Sequence, residues 1–198
     1  MLKLILTSGG WVVLPLILLS LTALAVAIER CWRLLPLRRR VRNDRRDLLE
    51  TILREGPQAA LSAIPSDSPV ARIARAGIHV QSKGVELVRL SALDAAQREV
   101  ALCERGLGIL LAATQVAPLF GLLGTVIGLV EAFQAASAAE QVSSKLLSGG
   151  IYKALTTTAA GLLIAIPAFI AYASLNGVVS RIADELELVA TDLPAALK

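Results

Sequence analysis

The sequence predicts an all-α membrane protein, with three transmembrane helices that carry long helical extensions on the cytoplasmic side. Three observations lead there. Of 198 residues, 55% are hydrophobic and 18% charged, with a mean hydropathy of +0.66. An ordinary soluble domain is about 45–50% apolar and about 25% charged. Charge is absent from three runs, residues 4–28, 106–130 and 154–180, which are 25, 25 and 27 residues long. Each exceeds the roughly 20 residues that a helix needs to cross a hydrocarbon core about 30 Å thick. No strand alternation and no Gly-rich phosphate loop interrupts the helical reading. The same composition excludes disorder, collagen and a disulfide scaffold, with 14 Gly, 8 Pro and 2 Cys.

The first span, with a short periplasmic N-terminus, covers residues 1–28. It reads as a retained span and not as a cleaved leader: Lys3 is its one basic residue, the apolar run is long, and no A-x-A site follows. Behind it come Arg30, Arg33, Arg38, Arg39, Arg40, Arg42, Arg45 and Arg46, against Glu29, Asp44 and Asp47. Arginines concentrated beside a span mark the cytoplasmic side. The N-terminus therefore faces the periplasm, residues 29–105 are cytoplasmic, residues 131–153 are a periplasmic connection, and the tail 181–198 is cytoplasmic. All net charge lies outside the spans, so the basic balance of +4 follows topology and is no nucleic-acid footprint. Cys31 and Cys103 fall in a reducing compartment and read as free thiols. His79 has no Cys or His at ligand spacing, so no metal site is expected.

The cytoplasmic region 29–105 reads as a compact helical bundle suited to assembly. The first helix continues inward with a bend at Pro36 and ends at Gly56–Pro57. A short helix over 58–64, a turn cluster over 65–69 and a helix over 70–82 follow. From Val85, apolar residues recur at three-or-four spacing. With no breaker recognised, one helix is expected to run from there through the second span, 106–130.

That span carries Ala113, Ala117, Gly121, Gly124 and Gly128 on one face. The third span, 154–180, carries Ala154, Thr158, Gly161, Ala165 and Ala168 in the same way. Small-residue stripes let helix backbones approach closely, and Gly124 and Gly128 form a GxxxG pair. Pro118 and Pro167 are expected to kink the two spans, their freed carbonyls satisfied by neighbours or water. Thr125 and Thr158 lie at matched depth, about 10–13 Å outward of the prolines at 1.5 Å per residue. Thr156 and Thr157 are placed further out, on other faces. Glu131 and Lys153 mark the outer ends of the two spans, at a pore mouth. No Asp, Glu, His, Lys or Arg lies inside any span. A proton relay places an ionisable group at membrane depth, so this chain is expected to supply a hydroxyl wall around an acid that another chain brings.

The segment from Ala117 to Gly128, APLFGLLGTVIG, resembles the second-span signature of the ExbB/TolQ/MotA proton-channel family. The segment from Gly150 to Ala168, GIYKALTTTAAGLLIAIPA, resembles its third-span signature. Gly9–Gly10–Trp11 and Ile28–Glu29–Arg30–Cys31–Trp32 resemble the ends of an ExbB first span. Three spans in a short chain are closest to the ExbB-like branch; the MotA branch has four. The resemblance implies a multi-pass subunit of a bacterial inner-membrane motor. It further implies a homo-oligomeric ring, a pentamer around ExbD/TolR-like single-span partners whose membrane aspartate carries the proton. The family's functional threonines match Thr125 and Thr158. The transported ion would be the proton, with no cofactor and no enzymatic step. Lys153 departs from the pattern, since many ExbB-like and TolQ-like members carry a glutamate there. The resemblance leaves the load open: TonB-dependent transport through a TonB-like protein, Tol-type envelope maintenance, or gliding and secretion. A membrane scaffold that conducts nothing fits the stripes equally well.

Overall fold

The computed structural model describes residues 13–138 and 144–197. The opening of the first run, with Lys3 and Gly9–Gly10–Trp11, lies outside the described residues, as do residues 139–143 of the connection and Lys198. Among the described residues every regular element is helical: α1 (Val13–Glu55), α2 (Pro57–Ala63), α3 (Pro69–His79), a 3-10 turn (Gln81–Lys83), α4 (Val85–Glu104), α5 (Leu107–Ser137) and α6 (Ser144–Ala196). Three of them, α1, α5 and α6, are long and apolar enough to cross a membrane. The chain divides into two units, one of residues 1–29 and 106–173, the other of residues 30–105 and 174–198.

In the first unit the usual size order of a protein interior is reversed. The buried residues of α5 include Ala113, Ala117, Gly121, Gly124, Gly128, Ala132 and Ala136. The large side chains Leu119, Leu122, Val126, Leu155, Leu163, Ile166 and Phe169 point outward and are more than half exposed. In water so large an apolar face would be untenable. In lipid it costs nothing, and close backbone packing of small residues supplies the cohesion. Leu16 of α1 joins Ala117 and Ala165 in the buried cluster, with Leu19, Phe120 and Ile164 around it.

The charged unit is a helical bundle with a conventional core. Val41, Leu48 and Ile52 of α1 are buried, as are Val70, Ile73 and Ala74 of α3 and Val88 and Ala92 of α4. The last turns of α6 add Ile182, Leu186, Val189 and Leu193 to that core. Gly77 is where α3 runs closest, since a Cβ there would meet Leu193 Cδ2 at 2.5 Å and Val88 Cγ1 at 3.3 Å. Arg72 makes a two-pronged pair with Glu99, Nε and Nη2 each donating at 2.6 Å, and so ties α3 to α4. Arg45 of α1 donates to Glu185 at 2.9 Å and to Asp192 at 3.1 Å on α6. Ser68, ahead of α3, donates its hydroxyl to the Asp44 carboxylate instead of capping its own helix.

Three readings of the sequence are corrected by the structure. The helix begun at Val85 does not run unbroken into the second span. It stops at Glu104, and α5 starts at Leu107 after Gly106 with φ 82°. Gly106 is the breaker that the periodicity hid, because only glycine enters this left-handed conformation without a Cβ penalty. The helix expected over 70–82 ends at His79, and a 3-10 turn follows. The stretch 131–153, expected as a periplasmic connection, contains the end of α5, to Ser137, and the start of α6, from Ser144. Charge-free runs mark where a helix can meet lipid, not where it begins or ends. Pro36, Pro118 and Pro167 are internal residues of α1, α5 and α6. The third correction concerns Thr157 and belongs with the site.

Candidate functional site: a hydroxyl cluster between α5 and α6

Gly121, Gly124 and Gly128 form the floor on which α6 lies. A Cβ on Gly121 would meet the Thr158 Cα at 3.0 Å, and one on Gly128 would meet the Ala154 nitrogen at 3.1 Å. From the other side, a Cβ on Gly161 would come within 2.5 Å of the Ala117 carbonyl oxygen. Ala117 and Ala165 are buried in the same contact. Backbones this close put groups of the two helices within hydrogen-bond reach of each other.

The Thr158 hydroxyl uses that reach. It lies 3.0 Å from the Gly121 carbonyl oxygen of α5 and 3.1 Å from the Thr125 hydroxyl. Most membrane threonines bond back to their own helix; Thr158 bonds across. Thr125 is also 2.7 Å from the Leu122 carbonyl and 3.3 Å from that of Gly121. Each hydroxyl has one proton to give and lone pairs to receive, so the four oxygens support two arrangements. In one, Thr125 donates to Thr158 and Thr158 to the Gly121 carbonyl. In the other, Thr158 donates to Thr125 and Thr125 to the Leu122 carbonyl. Exchange between them turns the dipole of the pair without moving a heavy atom. Both threonines are partly exposed at the edge of the α5–α6 contact, so the pair is open on one side.

Thr157 is the correction. The sequence places it on another face, but it is 1% exposed and sits directly over Gly124. A Cβ on Gly124 would be 2.5 Å from the Thr157 Oγ1. Its hydroxyl donates to its own helix, 2.8 Å from the Ala154 carbonyl. The signal was present: Thr157 is three residues after Ala154 and four before Gly161, which puts it on the stripe. Thr156 bonds to the Tyr152 carbonyl of its own helix at 2.8 Å.

Further along the same two helices, Lys153 Nζ donates to Glu131 at 2.6 Å. Gly150 lies against Ala132 beside them. Pro118 is half-buried beside the α5 stripe, whereas Pro167 is exposed on the opposite side of α6. Among the described residues, no three His, Cys, Asp or Glu side chains come together as a metal site would require. Both cysteines are free thiols. Burial pushes the Cys103 thiol above its ordinary range, and Glu99 adds to this. Burial pulls the Arg45 guanidinium down, but its bonds to Glu185 and Asp192 leave it net raised. The bond to Glu99 raises Arg72.

With this geometry in hand, the comparisons with known proteins are specific. The model of the MotA/TolQ/ExbB proton channel family matches residues 65–188. An ExbB-like biopolymer transport protein of Synechocystis sp. is 34% identical over 198 residues, covering 94% of this chain and 75% of the relative. The biopolymer transport protein ExbB of Neisseria meningitidis is 27% identical over 99% of this chain and 96% of its own length. The Tol-Pal system protein TolQ of Haemophilus influenzae is 42% identical over 41% of this chain and 36% of the relative.

Proposed function

We propose, from the premise that this chain belongs to the MotA/TolQ/ExbB proton channel family, that it is the wall-forming stator subunit of an ExbB-type proton-driven motor. It sits in the bacterial inner membrane with its N-terminus periplasmic and its C-terminus cytoplasmic, the charged unit lying in the cytoplasm. Five copies form a ring around ExbD/TolR-like single-span partners. A membrane aspartate of the partner carries the proton, and this chain contributes uncharged hydroxyls that pass it along. Proton-motive force then does mechanical work on a periplasmic or outer-membrane load. TonB-dependent transport is the favoured load, supported by relatives matched along most of this chain that are named biopolymer transport proteins. The Haemophilus TolQ match supports a Tol-type load as the second reading.

One observation carries the proposal: the 3.1 Å contact between the Thr125 and Thr158 hydroxyls, in spans that hold no Asp, Glu, His, Lys or Arg. A scaffold needs the glycine floor, but it has no use for a hydroxyl pair that can exchange its donor. The test is the double variant Thr125→Val, Thr158→Val in the complex with its partner. Valine keeps the shape and removes the proton. Energised transport should be lost while the ring still assembles, since each bond contributes only about 0.6–1.7 kcal/mol to helix association. Normal energised transport in that variant would contradict the proposal.

A further inference from the structure

Beside α1 and the end of α6, the charged unit holds an open cavity of about 860 Å³. Arg38, Arg39, Arg42 and Arg181 line it. None of the four makes an ion pair with a carboxylate among the described residues, whereas Arg45, Arg72 and Arg98 all do. The cavity also contains Asp184 and Glu185, and Glu185 is committed to Arg45. Its balance is therefore cationic. The rest of the wall is apolar, from Leu35, Pro36 and Leu188, and Leu35 is 50% exposed. Arginines converging beside bare hydrocarbon suit a ligand with an anionic head and an apolar body. Guanidinium forks match phosphate oxygens in pairs.

The sequence fixes the depth of this cavity. Arg181 is the first charged residue after the charge-free run 154–180. Trp32, 81% exposed, precedes Arg38, Arg39 and Arg42 on α1, and aromatics of this kind anchor at headgroup level. With the spans placed in the bilayer as proposed, Arg181 stands at headgroup level and the cavity extends from there toward Arg38, Arg39 and Arg42. Basic pockets between helices on the cytoplasmic side are suited to anionic headgroups.

We propose that this cavity is a binding site for one anionic phospholipid of the phosphatidylglycerol type. Its phosphodiester is held by Arg38, Arg39, Arg42 and Arg181, and an acyl chain lies along Leu35 and Leu188. The site is independent of the proton path, because a chain that conducts nothing would still carry it.

The test separates a built site from general attraction by basic residues. Arg40 and Arg46 belong to the same arginine cluster but do not line the cavity. Full-length protein with Arg39→Gln, Arg42→Gln and Arg181→Gln is compared with wild type and with Arg40→Gln, Arg46→Gln. Each is purified in mild detergent and titrated with phosphatidylglycerol, phosphatidylcholine and inorganic phosphate, and bound lipid is counted by native mass spectrometry. The expected result is one phosphatidylglycerol per chain, held in preference to phosphatidylcholine and not displaced by millimolar phosphate. Affinity should fall about five-fold for each cavity arginine removed, near 100-fold for the triple variant, and stay within two-fold in the control pair. Equal losses in both variants, equal binding of phosphatidylcholine, or displacement by inorganic phosphate would each overturn the site.

Discussion

At the scale of single residues, the α5–α6 contact turns on atoms that glycine does not have. Gly161→Ala drives a methyl to within 2.5 Å of the Ala117 carbonyl, a backbone atom that cannot step aside. Overpacking of this kind costs about 1–3 kcal/mol, so the melting temperature of the detergent-solubilised protein should drop. Gly177 of the same helix is the control. A Cβ there meets nothing within 4 Å, and Gly177→Ala should be neutral or stabilise by up to about 1 kcal/mol through helix propensity. Equal effects of the two variants would remove the packing account. Cys103 gives a second residue-scale prediction. Its raised pKa means that the folded state favours the neutral thiol. That contribution is complete below the ordinary thiol value of 9.0 and is lost as pH rises through the raised value. Alkylation of Cys103 by iodoacetamide at pH 8 should therefore be slower than that of an unfolded-chain thiol, and should accelerate only on going well above pH 9. Residue identity made the glycine floor readable, since spacing alone places Gly121, Gly124 and Gly128 on one face. Thr157, placed on another face by the sequence reading, lies three residues after Ala154 and four before Gly161, a spacing that puts it on the stripe.

At the scale of elements, two junctions decide how the helices end and pair. Gly106 separates α4 from α5 with φ 82°. Gly106→Ala should cost about 1–2 kcal/mol, the penalty of a Cβ in the left-handed region, while Gly106→Asn should cost less. Denaturant or thermal melts of both variants check this ranking. Arg72 and Glu99 form the other junction, between α3 and α4. Glu99 has 9% of its side chain exposed and Arg72 43%. Arg72→Met leaves a carboxylate buried without its partner and should cost about 1–3 kcal/mol, below the 3–5 of a fully buried pair because Arg72 reaches water. Arg72→Met with Glu99→Leu should recover part of that loss, and a double-mutant cycle on thermal stability measures how much. The raised guanidinium pKa places any alkaline loss of this pair above the ordinary arginine value. The pair should therefore hold unchanged at alkaline pH short of that value. Neither junction was legible beforehand. A glycine inside a helical periodicity gives no sign of its φ, and ion pairs between distant residues follow from packing that a linear pattern does not carry.

At the scale of the whole molecule, the large features were legible because lipid imposes them. Charge-free runs of 25 and 27 residues in a chain of 198 have one economical explanation, and the described residues include three helices of that kind. The tail was harder to read. Residues 181–198 read from sequence only as a cytoplasmic tail, yet Ile182, Leu186 and Val189 are core residues of the charged unit. Their three-and-four spacing was visible, but the sequence does not name the surface that it packs on. The proposed motor depends on a division of labour between chains, with hydroxyls here and a titrating acid elsewhere. Proton uptake into liposomes under an imposed membrane potential measures that division most directly, with this chain alone and then together with a single-span partner carrying a membrane aspartate. The account predicts no uptake above the lipid background from the chain alone, uptake with the partner, and its loss when Thr158 becomes valine. Brisk proton entry through the chain alone would contradict it.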